Sequence, residues 1–348
     1  MTTNLKGKHQ VSNVPPSVSS GRILAAALAL SVVTSTLIAC PNADAFWPFN
    51  KKTDHAKKVK KKRQLHATQV GLVPGNPPAL YWAAKKTPPK AVVLCLHELG
   101  LYSGVFDDMG KRLSDKDIAA YAIDLRGFGG WREKEGKDAK MDLDKTMDDV
   151  KGSCEIIHKL HPDTKVFILG EAMGGALALQ AAKDFPNLIA GVISAAPGGE
   201  HHNTVNNYLT LATSIAVGSK HAFGLGEELV DIASPKEDLK NAFREDEMVS
   251  MDVTKGQMMA CQFFMYKTKK MAKEIKDMPV LIVHGQKDGE SKLSGSKSVF
   301  ERLGSKDKKF LLVEDGDHYT FEDINVNDKA FDTAIAFIDE HVGPTEAK

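Results

Sequence analysis

The chain has 348 residues, of which 42% are hydrophobic, and its formal net charge is +1. This hydrophobic content is enough to form one large core. The even balance of charge gives no argument for a nucleic-acid partner or an acidic substrate.

The first 45 residues have the composition of a targeting segment. An apolar run from Ile23 to Ala39 follows three basic residues, and it is too short and too rich in Ala and Ser for a spanning helix. The run ends in Leu37-Ile38-Ala39-Cys40, which resembles a bacterial lipobox with Cys40 as the lipidated residue. Ala43-Asp44-Ala45 also fits ordinary secretory cleavage. We therefore expect export, either to the bacterial periplasm or to a membrane as a lipoprotein; an uncleaved anchor is the third alternative.

Residues 46–66 form a basic linker that we expect to be disordered. Its cations are Lys51, Lys52, Lys57, Lys58, Lys60, Lys61, Lys62 and Arg63. They would be attracted to anionic lipid headgroups by about 1 kcal/mol each. The alternative is that the segment is simply a solvated tether between an anchor and the domain. The run has no aromatic residues on a folded face, so it is not a nucleic-acid module.

Residues 67–197 are predicted to form the first part of an α/β core. Ala91 to Leu96 is a buried strand that runs into His97-Glu98-Leu99-Gly100. Apolar residues then recur at helical spacing, which predicts helices that pack on a sheet. They are Phe106, Met109 and Leu113 in one helix, and Leu143, Met147, Val150, Cys154 and Ile157 in the next.

A tight turn follows the next predicted strand. Lys165 to Leu169 is the strand, Gly170-Glu171-Ala172-Met173-Gly174-Gly175 is the turn, and the helix that begins there ends before Pro186. A strand, a strained glycine-rich turn and a helix form the setting of a nucleophile elbow. Small residues let the backbone approach the following helix.

Residues 198–279 interrupt the alternation of strands and helices, so we expect a helical cap there. Helix-like runs occur at Tyr208 to Val217 and at Lys255 to Lys270. Methionines are dense in this region: Met248, Met251, Met258, Met259, Met265, Met271 and Met278. Methionine suits surfaces that adapt to aliphatic ligands; the alternative is that these side chains simply pack the cap onto the core.

Residues 280–348 are predicted to complete the core. A strand from Pro279 to Gly285 is followed by Asp288, and a strand from Phe310 to Glu314 is followed by His318. A last helix carries Phe331, Ile335, Ile338 and Val342 on one face. The whole pattern predicts a mostly parallel sheet covered on both faces, with Ala172, Asp288 and His318 beyond the carboxyl ends of its strands.

Cysteine and histidine spacings predict no disulfide framework, metal site or cofactor. If Cys40 is processed, Cys95, Cys154 and Cys261 remain. An odd number of cysteines cannot form a disulfide framework, and their apolar neighbours in the sequence are typical of cysteines buried as small hydrophobic side chains. His201-His202 lacks a ligand-like spacing. We therefore expect no bound metal.

From about residue 67 to 345 the chain resembles an α/β-hydrolase of the monoacylglycerol lipase or lysophospholipase-like group, also classed with the serine aminopeptidases. The matching stretches are His97 to Gly100 with Tyr102-Ser103, Ile123-Asp124-Leu125-Arg126-Gly127-Phe128-Gly129, the turn around Ala172, Asp288 and His318. The resemblance implies that Asp288 and His318 are the acid and base of a triad, and that Leu99 and Met173 supply the oxyanion-hole amides.

Two residues depart from the family pattern. Ala172 stands where the family has its nucleophilic serine, and Glu98 stands where the oxyanion loop has glycine. We expect Glu98 to strain the loop if its φ angle is positive. The alanine removes the hydroxyl that attacks the carbonyl carbon, so ordinary acyl-enzyme hydrolysis is not expected.

Three hypotheses follow from these departures. In the first, an exported, degenerate hydrolase binds a hydrophobic ester or a protein partner under its cap. In the second, Ala172 was introduced into a working lipase to trap substrate. In the third, Asp288 and His318 act without serine, with His318 as a general base; Glu171 is the weakest replacement nucleophile, because its side chain points elsewhere in such a turn. Asp317 is a rival acid, but it lies too close in the chain to orient His318.

Overall fold

A computed structural model of the chain describes residues 60–72, 79–136, 139–202, 225–322 and 324–343. Within these ranges no helix is both long and apolar enough to cross a bilayer. The targeting segment, including Cys40, and residues 46–59 of the linker lie outside the described residues. The expectations of export, lipidation and membrane attraction therefore stay predictions.

One sheet of eight strands organises the described residues, in the order β1-β2-β4-β3-β5-β6-β7-β8. The strands are β1 Thr68–Val70, β2 Ala79–Trp82, β3 Ala91–Leu96, β4 Ile118–Ile123, β5 Val166–Glu171, β6 Gly191–Ala195, β7 Val280–Gly285 and β8 Lys308–Val313. The first two pair antiparallel, and the strands from β3 to β8 are parallel. The predicted mostly parallel sheet is confirmed.

Helices cover both faces of this sheet. They are α1 Asp107–Asp115, α2 Gly130–Glu135, α3 Leu143–Leu160, α4 Met173–Asp184, α5 Leu225–Ala233, α6 Glu237–Glu245, α7 Lys255–Tyr266, α8 Thr268–Met271, α9 Leu293–Arg302 and α10 Asp328–Val342. Alternate residues of β3 belong to different core clusters: Val92 and Leu94 pack with α3 and α4, whereas Val93 packs with α1 and α10. This division explains why the central strands are apolar at every position.

The predicted helical periodicities correspond to real helices. Helix α3 contains the whole predicted apolar face, and the Asp142 side chain caps it by accepting the Lys145 N–H at 3.0 Å. In α10, Phe331 and Ile338 are buried as predicted, whereas Ile335 and Val342 are only partly buried. Cys95, Cys154 and Cys261 are free and buried, as expected.

Helices α5 to α8 lie within the predicted cap, residues 198–279. The run from Lys255 to Lys270 forms α7 and α8, which meet at Lys267. Helix α7 begins with a capping box in which Thr254 and Gln257 each satisfy the other's backbone. The run from Tyr208 to Val217 lies outside the described residues.

The end of the basic linker differs from the disordered segment that the sequence predicts. Lys61 pairs with Asp246, donating its N–H to the Glu245 carbonyl at 2.9 Å. His66 donates its N–H to Asp107 at 2.8 Å. Residues 60–66 therefore pack on the folded domain. The sequence did not indicate this, because a composition rich in lysine carries no signal of backbone pairing.

Candidate active site

The turn between β5 and α4 has the backbone of a nucleophile elbow. Ala172 has φ 45° and ψ −107°, is 2% exposed, and donates its N–H to the Ala195 carbonyl at 2.9 Å. A residue with a Cβ in such a conformation costs about 1–3 kcal/mol. The structure therefore gives Ala172 the strained backbone of a nucleophile elbow in a buried position, and the side chain there is a methyl group.

Three glycines allow the backbone to approach this turn. An ideal Cβ on Gly170 would overlap the carbonyl of Gly174, and one on Gly174 would overlap the carbonyl oxygen of Leu96. A Cβ on Gly175 would lie 2.7 Å from the Ala195 carbonyl oxygen. The beginning of α4 thus contacts the ends of β3 and β6, as the small residues in the sequence predict.

This contact brings the two expected oxyanion-hole residues to the same edge of the sheet. Met173 is the first residue of α4, where N–H groups have no partner inside the helix. Leu99 lies in the loop after β3. This loop lies close to the beginning of α4, because a Cβ placed on Gly174 would be 2.9 Å from the His97 carbonyl oxygen. The assignment of the two amides remains a prediction.

Glu98 does not strain its loop, which corrects one expectation. Its φ is not positive; Gly100 takes the left-handed conformation instead, with φ 83°. The turn therefore falls two residues later than the sequence suggests, at a glycine that pays no Cβ penalty.

His97 fixes the loop from inside. Its Nδ1 lies 2.7 Å from the Glu98 carbonyl oxygen, and its Nε2 accepts the Leu125 N–H at 2.9 Å. An Nε2 that accepts must be unprotonated, so Nδ1 carries the hydrogen and donates to Glu98. Burial lowers the pKa of His97 to about 4. The ring is therefore neutral and links the loop after β3 to Leu125 through its two hydrogen bonds.

The structure brings Asp288 and His318 together. His318 is fully buried, and its Nδ1 lies 2.8 Å from Asp288 Oδ2. The other oxygen of Asp288 accepts the N–H groups of Glu290 and Ser291 at 2.9 and 2.7 Å. The acid is thus oriented by its own loop. Asp317, the rival acid, instead accepts the Ser234 hydroxyl at 2.6 Å.

The second ring nitrogen of His318 faces Glu98. In a serine hydrolase this Nε2 accepts the serine proton; here Glu98 Oε1 lies 3.2 Å from it and Glu290 Oε2 lies 3.8 Å from it. Carboxyl groups thus face both ring nitrogens, and an ionised carboxylate at each favours the imidazolium form, in which both nitrogens donate. Burial alone would lower the pKa of His318, but Asp288, Glu98 and Glu290 raise it well above its ordinary value.

More buried carboxyl groups surround this pair. Glu171 accepts the N–H groups of Thr320, Phe321 and Glu322 at 2.7, 2.9 and 3.0 Å. It ties the His318 loop to the elbow, and its side chain has no nucleophile geometry. Burial raises the pKa of Glu171 to about 7 although these N–H groups lower it in part, and burial raises that of Glu290 to about 8.

Glu290 and Glu322 are the site residues that sequence reasoning missed. Glu322 accepts the Glu98 N–H at 2.8 Å, across 224 positions of the chain. The only sequence signal is their position just after Asp288 and His318, in the loops that the sheet brings together. One ligand atom each from Glu98, Glu290 and His318 lies within 4.8 Å of the other two, although the histidine spacings predict no metal site.

Residues of the predicted cap bond to the loop after β3. Ser250 donates its N–H to the Gly100 carbonyl at 2.7 Å, and the Tyr102 hydroxyl donates to Asp246 at 2.7 Å. The backbone N–H of His318 donates to the Ala233 carbonyl at 3.1 Å. The cap therefore holds two of the loops that form the site.

Methionines of the cap divide between packing and partial exposure. Met265, Met271 and Met278 are buried in the same core cluster as Ala172. Met258 and Met259 are only partly buried. Met265, Met271 and Met278 therefore pack the core, whereas Met258 and Met259 keep partly exposed side chains that are able to adapt to a ligand.

A strained elbow, an Asp and His pair, and a mostly parallel eight-stranded sheet define the α/β-hydrolase class. Within that class the chain belongs to the serine aminopeptidase S33 family, whose model matches residues 87–325. The family recognised from the sequence is confirmed.

Relatives and solved structures agree with this assignment. The chain is 24% identical to a monoacylglycerol lipase of Mycolicibacterium smegmatis over 64% of this chain and 78% of the relative. It is 26% identical to a putative monoglyceride lipase of Schizosaccharomyces pombe over 76% and 71%. A soluble variant of Saccharomyces cerevisiae monoglyceride lipase superposes with a TM-score of 0.63 at 20% identity, covering 83% of this chain and 98% of that one. The structural likeness shows the fold alone. The chain is a lipase- and esterase-like α/β-hydrolase related to monoacylglycerol lipases.

The close approach at the elbow predicts that Gly174→Ala destabilises the domain by about 3 kcal/mol or more, since its Cβ would meet the Leu96 backbone. Urea unfolding monitored by circular dichroism measures this. Gly256→Ala is the matched control: it is also the second residue of a helix, and its Cβ would meet nothing closer than 3.9 Å. Equal stability of the two variants would contradict the packing described here.

The carboxylate of Glu171 predicts that Glu171→Ala lowers the free energy of unfolding by about 3 kcal/mol or more, because each orphaned buried N–H costs about 1–3 kcal/mol. Glu314→Ala, an exposed glutamate after β8, should change it by less than about 0.5 kcal/mol. A loss for Glu171→Ala as small as that of the control would show that Glu171 does not hold the His318 loop.

Proposed function

We propose that this chain is a catalytically silent relative of the monoacylglycerol lipases, which binds a neutral acyl ester without cleaving it. The observation that carries the proposal is a double change at the site. The nucleophile position is Ala172, and the Nε2 of His318 faces Glu98 at 3.2 Å. Each change alone disables one half of the nucleophile and base pair.

The missing hydroxyl has a large energetic cost. In subtilisin, removal of the serine lowers kcat by roughly 10⁶, which corresponds to about 8 kcal/mol of barrier. Oxyanion-hole amides each supply only about 3–4 kcal/mol. The amides at Leu99 and Met173 therefore cannot replace the nucleophile.

The geometry also argues against chemistry without serine. For His318 to act as a general base on water, its Nε2 must offer a lone pair. In this site the nitrogen faces the Glu98 carboxyl group, which favours a hydrogen on Nε2 and so opposes that role. Glu98 likewise argues against an alanine introduced to trap substrate, because a single exchange in a working lipase would leave the oxyanion loop unaltered.

The apolar residues around Ala172 and the nearby carboxyl groups favour a particular class of ligand. Ala172 and Met173 pack in one apolar cluster with Cys261, Phe264 and Met265 of α7, which suits an acyl chain. The Glu98 carboxylate accepts hydrogen bonds from hydroxyls and repels anions, and the Glu290 carboxyl group, whose pKa burial raises to about 8, adds a second hydrogen-bonding partner for a hydroxyl. A glycerol headgroup fits this chemistry better than a fatty-acid carboxylate or a lysophospholipid phosphate. The lipase names of the relatives point to the same class.

The double change predicts the outcome of restoring the serine. Ala172→Ser alone should give no measurable hydrolysis of nitrophenyl esters and no labelling by fluorophosphonate probes, because Glu98 still pairs with the base. Ala172→Ser combined with Glu98→Gly should gain activity at least about a hundredfold above the single variant. That factor is what about 3 kcal/mol of a buried ion pair is worth.

Parent protein and Glu98→Gly alone are the controls, and both should stay inactive and unlabelled. Labelling of the parent chain at a stoichiometric serine would overturn the proposal outright. Full activity of Ala172→Ser by itself would show that Glu98 does not block His318, and would return the site to an ordinary triad lacking only its hydroxyl.

The acidic lining predicts ligand preference in EDTA-treated protein. Calorimetry should show 1-oleoylglycerol binding at least about tenfold more tightly than oleate or lysophosphatidic acid, since like charges about 4 Å apart repel by several kcal/mol at protein dielectric values. Glu98→Gln should narrow the difference, and exposed Glu314→Gln should leave it unchanged. Equal binding of oleate and 1-oleoylglycerol would contradict the charge argument.

A further inference from the structure

We propose that Glu98, Glu290 and His318 form a binding site for one divalent transition-metal ion, for which Zn²⁺ is the best match. The three residues come from the loops after β3, β7 and β8. Each presents one ligand atom, and these atoms lie within 4.8 Å of one another. The proposal concerns the same site as the silent hydrolase but needs only the geometry around His318.

Distances between the ligand atoms approach those of a coordination sphere. Ligands at about 2.0–2.2 Å from Zn²⁺ in a tetrahedral arrangement are about 3.4 Å apart. His318 Nε2 lies 3.2 Å from Glu98 Oε1 and 3.8 Å from Glu290 Oε2. Small side-chain rotations of the two glutamates would complete the sphere, with a position left for water or a ligand oxygen.

Asp288 supports His318 in the way that metal-binding histidines require. A metal-ligating imidazole donates its other N–H to a carboxylate, which fixes the tautomer and the ring orientation. Asp288 Oδ2 lies 2.8 Å from Nδ1, so Nε2 is the nitrogen that faces the two glutamates. The acid of the family's triad is therefore also suited to a metal's outer sphere.

An independent observation points to a cation. Glu98 is 7% exposed, and its Oε2 is buried with no hydrogen-bond partner in the described structure. An orphaned carboxylate oxygen at this depth costs more than a neutral group would. His318 faces three carboxyl groups, those of Asp288, Glu98 and Glu290. A divalent ion in place of the Nε2 proton would satisfy Oε2 and balance this excess of carboxylates.

The ligand types favour a particular class of metal. One imidazole nitrogen with two carboxylate oxygens suits Zn²⁺ or Mn²⁺, whereas Ca²⁺ and Mg²⁺ prefer sets made of oxygen alone. The sequence predicts no metal because Glu98 and His318 are 220 positions apart. Only the sheet brings them together.

The test is calorimetric titration of the full-length protein, stripped with EDTA and dialysed, with ZnCl₂. We expect one equivalent to bind, and Glu98→Gln and Glu290→Gln each to weaken that binding at least about tenfold. Asp288→Asn, which removes an outer-sphere group and no ligand, should weaken it by about 10–100-fold. Exposed Glu301→Gln, on α9, is the control and should bind as the parent does. Circular dichroism verifies that each variant is folded.

Two results would overturn the proposal. The first is no stoichiometric Zn²⁺ binding, which would leave the cluster as an ion pair. The second is binding that folded Glu290→Gln retains in full, which would locate the ion elsewhere, for example at His201-His202. Glu290→Gln decides the matter even if Glu98→Gln does not fold. Neither result affects the silent hydrolase, provided that its labelling and serine-restoration experiments are carried out in EDTA.

Discussion

The contact between a buried imidazolium and the carboxylates on either side of it connects the loops of this site. Asp288 approaches His318 from the loop after β7, and Glu98 approaches it from the loop after β3. Burial of an unmatched charge is far more costly than burial of a matched pair. The three loops therefore hold their positions together around the ring of His318.

The scaffold around this ring has kept the shape of a working hydrolase. Ala172 retains a positive φ of 45°, although alanine has no chemical use for that strain. The reason lies in the packing: Gly170, Gly174 and Gly175 place strand, turn and helix at their closest approach. A relaxed turn would have to separate these backbones. The fold itself maintains the elbow, independently of any reaction.

Much of this architecture could be predicted from the sequence because it depends on local periodicity. The apolar strands and the face of α3 follow from patterns within short windows, and the expected order of Ala172, Asp288 and His318 follows from the resemblance to the hydrolase family. The roles of Glu98, Glu290 and Glu322 could not be predicted, since they depend on contacts across about 200 positions of the chain. The same limit explains the other differences. The loop turns at Gly100 rather than at Glu98, and Lys61 pairs with a partner in the cap.

The attachment of the cap to the oxyanion loop has a thermodynamic consequence. Ser250 bonds to Gly100, and Asp246 bonds to Tyr102, so a displacement of the cap strains or breaks the contacts that shape the loop. For the ligand that we propose, movement of the cap and the shape of the loop after β3 would then be coupled. Its apparent affinity would fall in proportion to the fraction of molecules in the binding-competent form. A change on the outer surface of the cap could therefore tune binding without touching the ligand.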